Sequence, residues 1–290
     1  MASFARGALK PVSLAFSKES GSAAAATAGT RTPLVILHGL FGSKSNWKSL
    51  QKQFARQLER DVYALDLRNH GESPHTPFNP GYFYAEMAAD VAAFVRAQGI
   101  ESYDLMGHSM GGKAAALLAL VQPERMRRLV MVDIAPVSYR DMGKFVLYAN
   151  EMARVQQAGV RSRQEADKML QETVPELSVR QFLLTNLVSS PPSVEYKIRV
   201  NLEALKPGVE EARGWPVALP TGESLVPFDQ PALFVCGKRD RYIRPEHHPI
   251  IRSLFPSPQT EIVDVDAGHW VHAEQPVIFM DEVSRFLTTS

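Results

Sequence analysis

The chain is short of cysteine, of long apolar runs and of any surplus of one charge, and each shortage removes a class of protein. One cysteine, Cys236, among 290 residues leaves no internal disulfide scaffold. Set in Ala232-Leu233-Phe234-Val235-Cys236, it reads as a small buried hydrophobe suited to a reducing compartment. No stretch reaches the roughly 18 consecutive apolar residues that a membrane-spanning helix needs. A formal net charge of +1, with charged residues at 22%, gives no electrostatic footprint for nucleic acid or an anionic membrane surface. A small molecule is the expected partner. Internal repeats are absent, and the alanine-rich residues 22–29 are the single low-complexity segment, read as a flexible loop.

What the chain does have is alternation. Apolar, β-branched runs stand at 34–37, 62–65, 103–106, 129–132, 232–235 and 262–265, the pattern of strands buried on both faces. An earlier alternating run, 12–16, reads as a first strand. Between the second and third buried runs, residues 84–98 place Met87, Ala88, Val91, Phe94 and Val95 on one helical face, and Gly99 supplies the stop. Strand then helix, repeated, predicts an α/β fold with a doubly wound, mostly parallel sheet. Ligands of such sheets bind beyond the carboxyl ends of the strands.

Residues 138–229 break the alternation. Helix formers dominate at 145–157, 162–172 and 178–187, prolines follow at Pro207, Pro216, Pro220 and Pro227, and no convincing strand is seen. Both ends return to the same sheet, so the stretch is expected to be a helical lid over the active-site end, shaping a pocket and excluding water. The implied organisation is a short basic leader at 1–11, a core in two parts at 12–137 and 230–290, and the lid between them. The leader carries Arg6 and Lys10 with no acid before Glu19, which is transit-peptide chemistry in an unusually short form.

Gly107-His108-Ser109-Met110-Gly111 is a G-x-S-x-G set between a strand run and a helix run, a pattern that pushes a serine hydroxyl out of a tight turn as a nucleophile. A serine needs a base, and the base needs an acid to fix its tautomer. His269, in Gly268-His269 after the last predicted strand, is the expected base. His272 is its competitor but enters the next helix. His38, His70 and His108 flank turns and are expected to hold loops; His75, His247 and His248 read as exposed. Two acids fit the chain order: Asp240, just past the strand at 232–235, and Asp133, closing the strand at 129–132. The residues themselves leave that choice open. Developing negative charge on an attacked carbonyl needs two backbone N–H groups. Met110, following the nucleophile, supplies one; Leu40, with Phe41 next, is expected to supply the other from His38-Gly39-Leu40-Phe41-Gly42.

Residues 107–113 also spell G-x-x-x-x-G-K, a phosphate-binding loop, with Asp133 mimicking a magnesium-binding aspartate. Position 114 is alanine, so the hydroxyl that would bind magnesium is missing. The NTPase reading also leaves His38-Gly39 and Gly268-His269 without a role, and it leaves Lys113 as a helix residue with no assigned chemistry. A binding protein that keeps the fold without turnover is the third class, against which the serine, histidine and acid argue.

Together with Asp66-Leu67-Arg68-Asn69-His70-Gly71, Val132-Asp133-Ile134-Ala135-Pro136 and Gly268-His269-Trp270-Val271-His272-Ala273, these motifs resemble the α/β-hydrolase superfamily. The narrower likeness is to the group holding the YbfF-type esterases, abhydrolase domain-containing protein 11 and the fungal ethanol acetyltransferases, and it runs from about residue 12 to the end. It includes the lid segments Leu183-Leu184-Thr185-Asn186-Leu187 and Arg199-Val200-Asn201-Leu202. The resemblance implies a serine hydrolase of short or medium acyl esters and thioesters that needs no cofactor or metal, with alcohol acyl transfer as the alternative reaction. It also implies Asp133 as the acid, Asp240 filling the other superfamily position, and a mitochondrial location ahead of a cytoplasmic one.

Overall fold

All six apolar runs form strands, five of them with core on both sides of the sheet; the run at 262–265, expected to be doubly buried, is instead a half-exposed edge strand in which Val265 alone is buried. The six are β2 (Leu34–Leu37), β3 (Val62–Leu65), β4 (Tyr103–His108), β5 (Met126–Val132), β8 (Ala232–Gly237) and β9 (Glu261–Val265). β1 (Phe16–Glu19) adds an edge, and β6 (Leu187–Ser189) and β7 (Tyr196–Ile198) lie apart as a hairpin. The sheet order is β1-β3-β2-β4-β5-β8-β9, with β1 antiparallel to β3 and every other neighbour parallel. The chain winds outward in both directions from β2 and β4, so the fold is the expected doubly wound one. The computed structural model describes residues 9–21, 32–140, 143–189, 193–216, 222 and 224–289. Most of the basic leader (1–8), the alanine-rich loop at 22–29 and Pro220 lie outside the described residues.

Each face has its own core. On one, Trp47 just before α1 (Lys48–Leu58), Phe54 of α1 and Phe279 and Phe286 of α10 (Pro276–Thr288) are buried against the sheet. On the other, α2 (Phe83–Ala97) packs over α3 (Met110–Val121), whose every residue is buried. That helix leaves no solvent face, which is why its sequence, Met-Gly-Gly-Lys-Ala-Ala-Ala-Leu-Leu-Ala-Leu-Val, shows no amphipathic stripe. Cys236 is buried, and burial raises its thiol, as expected of a core residue.

Between β5 and β8 the chain forms α4 (Gly143–Gln157), α5 (Arg163–Gln171), α6 (Leu177–Leu184), the β6–β7 hairpin and α7 (Leu202–Ala212). The hairpin corrects the expectation of a strand-free insertion: three residues per strand are too few to show a period. The helix expected at 178–187 ends at Leu184, where Asn186 turns back to bond Leu183 O at 3.0 Å. α8 (His248–Leu254) and α9 (Val271–Glu274) complete the core. The first strand also begins later than 12–16 suggests. Val12 N–H donates to Asp90 and Ala15 N–H to Ser73 Oγ, so those residues are committed to side chains before β1 starts. His247, expected exposed, is buried edge-on against Tyr139.

Candidate active site

β4 ends at His108 and α3 begins at Met110, so Ser109 alone makes the turn. Its φ of 52° and ψ of −118° lie where a residue with a Cβ is strained, at a cost on the order of 1–3 kcal/mol. Two glycines make the turn possible. A Cβ on Gly107 would stand 2.3 Å from Gly111 O, and one on Gly111 would stand 2.4 Å from His38 O. The serine's own N–H is anchored to Val132 O at 3.0 Å, tying the turn to the neighbouring strand end.

Ser109, His269 and Asp133 are brought into one hydrogen-bonded chain. Ser109 Oγ donates to His269 Nε2 at 2.9 Å, and His269 Nδ1 donates to Asp133 Oδ2 at 2.8 Å. All three are buried. Asp133, also at positive φ (49°), is pinned by β8: its N–H donates to Val235 O and its Oδ1 accepts Gly237 N–H, each at 2.8 Å. Burial raises the Asp133 carboxyl, and the bond to His269 opposes that rise. Asp240 is brought to the same loop but meets the main chain, its Oδ2 accepting His269 N–H at 2.8 Å. His108 Nε2 donates to His269 O at 2.8 Å. The histidine is thus gripped at both main-chain atoms and both ring nitrogens.

The loop after β2 is braced by two further imidazoles. His38 Nε2 accepts Leu67 N–H at 3.0 Å, and His70 Nε2 accepts Phe41 N–H at 3.2 Å, while each Nδ1 donates to a carbonyl. Both act as neutral rings: burial lowers His38 and carries His70 down to about 3. Phe41 has positive φ (61°) and its N–H is spent on His70. Leu40 N–H has no acceptor among the described residues. Met110, first residue of α3, has an N–H that no earlier helical carbonyl can take. Of the two loop residues proposed for the oxyanion, Leu40 therefore has the available donor.

Residues of the insertion and of the loops after β8 and β9 together line a cavity of about 1030 Å³ that includes Tyr139, Phe145, Tyr148, Tyr242, His269 and Trp270. A smaller one of about 270 Å³ borders the β2 loop at His38, Gly39 and Gly42, with Trp47, His108 and His272 opposite. Among the described residues no group of His, Cys, Asp and Glu is arranged to hold a metal ion, and none of the described helices is long and apolar enough to cross a membrane. Lys113 is buried with its amine on three carbonyls of the insertion, so it is not free to meet a phosphate in the manner of a nucleotide-binding loop.

Sequence reasoning expected His108 to hold a loop without naming His269 as its partner, and it missed the main-chain grip of Asp240, the bracing role of Lys113, and Asn186, whose Nδ2 donates to Phe41 O at 2.8 Å from the insertion. The signal available for Asp240 and His108 was their place at strand ends beside the motifs. For Lys113 and Asn186 it was only a polar residue inside an otherwise apolar segment.

A family profile described as alpha/beta hydrolase fold matches residues 32–276. The chain is 38% identical over 283 residues to mouse sn-1-specific diacylglycerol lipase ABHD11, covering 96% of this chain and 86% of that one. It is 38% identical over 261 residues to a probable alcohol acetyltransferase of Saccharomyces cerevisiae, covering 85% and 74%. Among solved structures, a marine microorganism esterase superposes with a TM-score of 0.81 at 30% identity, covering 95% of this chain and 99% of that one. With the fold, the serine turn and these likenesses in agreement, the chain belongs to the α/β-hydrolase family.

Proposed function

We propose that this protein is a serine hydrolase that cleaves carboxylic esters and thioesters of short to medium acyl length through an acyl-Ser109 intermediate. The observation that carries the reading is the double hydrogen bond of His269, Nε2 to Ser109 Oγ and Nδ1 to Asp133. With its Nδ1 proton held by Asp133, the imidazole presents a lone pair at Nε2 to the serine hydroxyl. Ser109 Oγ bonds to the acyl carbon as His269 takes its proton. The carbonyl oxygen becomes an oxyanion facing the N–H groups of Leu40 and Met110. Collapse breaks the bond to the leaving oxygen or sulfur, which receives the proton from His269, and water then repeats the sequence to release the acid. In this scheme the insertion acts as the lid, shaping the larger cavity and limiting water.

Replacing Ser109 with alanine tests the assignment. Turnover of a short acyl ester and the acyl mass increment on the intact protein should both vanish; an S109A variant that keeps wild-type hydrolysis overturns it. Acyl transfer to an alcohol is a second reading, favoured by the likeness to the yeast acetyltransferase. The acyl-serine is common to both, so the difference is whether water or alcohol reaches it. Product analysis with and without ethanol separates them, and an acylglycerol belongs in the same ester series because the mouse relative is named a diacylglycerol lipase. The basic leader with Arg6 and Lys10 supports a mitochondrial address. A fluorescent fusion of residues 1–20 that stays cytoplasmic would count against it.

A further inference from the structure

Lys113 stands one helical turn beyond Ser109 on α3, is 1% exposed and takes no part in the chemistry above. Its Nζ donates to the carbonyls of Ala212, Arg213 and Gly214 at 3.1, 3.0 and 2.8 Å. An ammonium has three donors, and here three acceptors cluster at the carboxyl end of α7, where the helix dipole is negative. The Tyr139 and Tyr84 rings lie 4.8 and 5.7 Å from the amine.

The same short segment collects other bonds. Tyr84 Oη donates to Ala212 O at 2.6 Å, Tyr139 N–H to Arg213 O at 2.8 Å and Trp215 N–H to Ser138 Oγ at 2.9 Å. Ser138 and Tyr139 lead from the sheet into the insertion, and residues 212–215 run from the last residue of its last helix, α7. The start of the insertion and the end of its last helix therefore meet at one amine. From there contact runs to the site: Tyr139 Oη donates to Tyr242 O at 2.8 Å, and the Tyr242 ring lies 4.2 Å from that of His269.

We propose that Lys113 is a positioning residue whose amine fastens the start of the insertion and the end of α7 to the helix that Ser109 caps, and thereby holds Tyr139 and Tyr242 against His269. The inference rests on the reading of Ser109 and His269 as the reacting pair. Burial pushes the amine down to about 7 from its ordinary 10.5, while the three carbonyls and the helix end favour its ammonium form. The titratable groups facing the amine are Tyr84 and Tyr139, both raised by burial and so neutral here. Arg213 turns its guanidinium to Glu210 at 3.2 Å.

Two measurements on the full chain test this. Hydrogen exchange of a peptide covering 209–216 should be faster in K113M than in the wild type at the same pH, because the fastening of that segment to α3 is lost. On a short acyl ester, K113M should lose about fivefold or more in kcat with little change in KM, the pattern of a misaligned base. A smaller loss of kcat, or exchange at 209–216 unchanged in K113M, overturns the proposal. If K113M does not fold, K113Q, which keeps two donors, is read by the same two criteria. Exchange does not depend on turnover, so a failure of the Ser109 assignment is seen separately in S109A.

Discussion

The carboxylate of Asp240 accepts the main-chain N–H of His269 at 2.8 Å, while the imidazole Nδ1 of the same residue is bonded to Asp133. Two acids that look equivalent in chain order therefore do different things. One faces the proton-carrying ring; the other fixes the loop from which that ring projects.

That difference predicts unequal mutants. Asp133→Asn replaces the acceptor of the Nδ1 proton and favours the wrong tautomer, and kcat should fall by about 10⁴-fold, the scale seen for the equivalent change in other triads. Asp240→Asn keeps an oxygen able to accept the main-chain N–H, and the loss should stay within about tenfold, since a hydrogen bond to a neutral acceptor is weaker but still made. Steady-state kinetics of both variants on one acyl ester decides. Equal losses, large or small, would contradict the division of labour.

How far the sequence could reach is visible in the strands. β2 and β3 match their apolar runs residue for residue because both faces are buried and no polar position interrupts them. β6 and β7 were illegible for the opposite reason: Leu187, Val188, Ser189 and Tyr196, Lys197, Ile198 are half-exposed pieces whose pairing is set by tertiary contacts. At the site, Ser109 and His269 could be read because glycines and strand ends mark them locally. The contacts of Asp133, Asp240 and Lys113 span 136, 29 and about 100 residues of chain, and such long-range partners leave no local pattern. Lys113 shows this best, since a lysine at its place in a fully buried helix is explained only by carbonyls far along the chain.

Stability should fall in acid for a reason built into the site. Burial lowers both His70 and His272 to about 3 from the ordinary 6.5. These bases have depressed folded pKa values, so between pH 6.5 and 3 the unfolded chain binds protons that the folded one refuses. Unfolding free energy then declines with falling pH in that window, by at most about 1.4 kcal/mol per unit for each histidine. His272 stacks on Trp47 at 4.3 Å and its Nδ1 has no partner, so His272→Phe keeps the packing and removes one proton site. Urea midpoints at pH 7, 6 and 5 should drop less steeply in H272F than in the wild type. Parallel slopes would mean that His272 does not contribute.

Gly39 approaches both His108 and Ser109 from the loop after β2. A Cβ there would stand 2.7 Å from His108 Nδ1 and 3.3 Å from Ser109 Cβ. The imidazole of His108 cannot swing aside freely, because its Nε2 holds His269 O. Gly39→Ala should therefore cost about 1–3 kcal/mol by overpacking, and it should also lower kcat by about 10²-fold through displacement of the Leu40 donor or of His269. Chemical denaturation and kinetics on the same preparation separate the two effects. A G39A variant with wild-type kcat would show that this loop does not border the reacting atoms.

Asn186 carries the insertion's contact with the same loop. It is fully buried, and its Nδ2 donates to Phe41 O at 2.8 Å and to Leu183 O at 3.3 Å, while its Oδ1 has no partner. Phe41 sits at positive φ, so its carbonyl direction depends on being held. Asn186→Ala leaves that carbonyl buried and unsatisfied, at about 1–3 kcal/mol. Asn186→Asp is the sharper change, since it sets an acceptor against an acceptor and buries a charge without a counter-ion. Thermal unfolding should rank the variants wild type, then N186A, then N186D. If the bond also steadies the Leu40 donor, kcat/KM should fall in the same order, and N186A should lose about tenfold through kcat. Unchanged kinetics alongside lowered stability would confine Asn186 to holding the insertion in place.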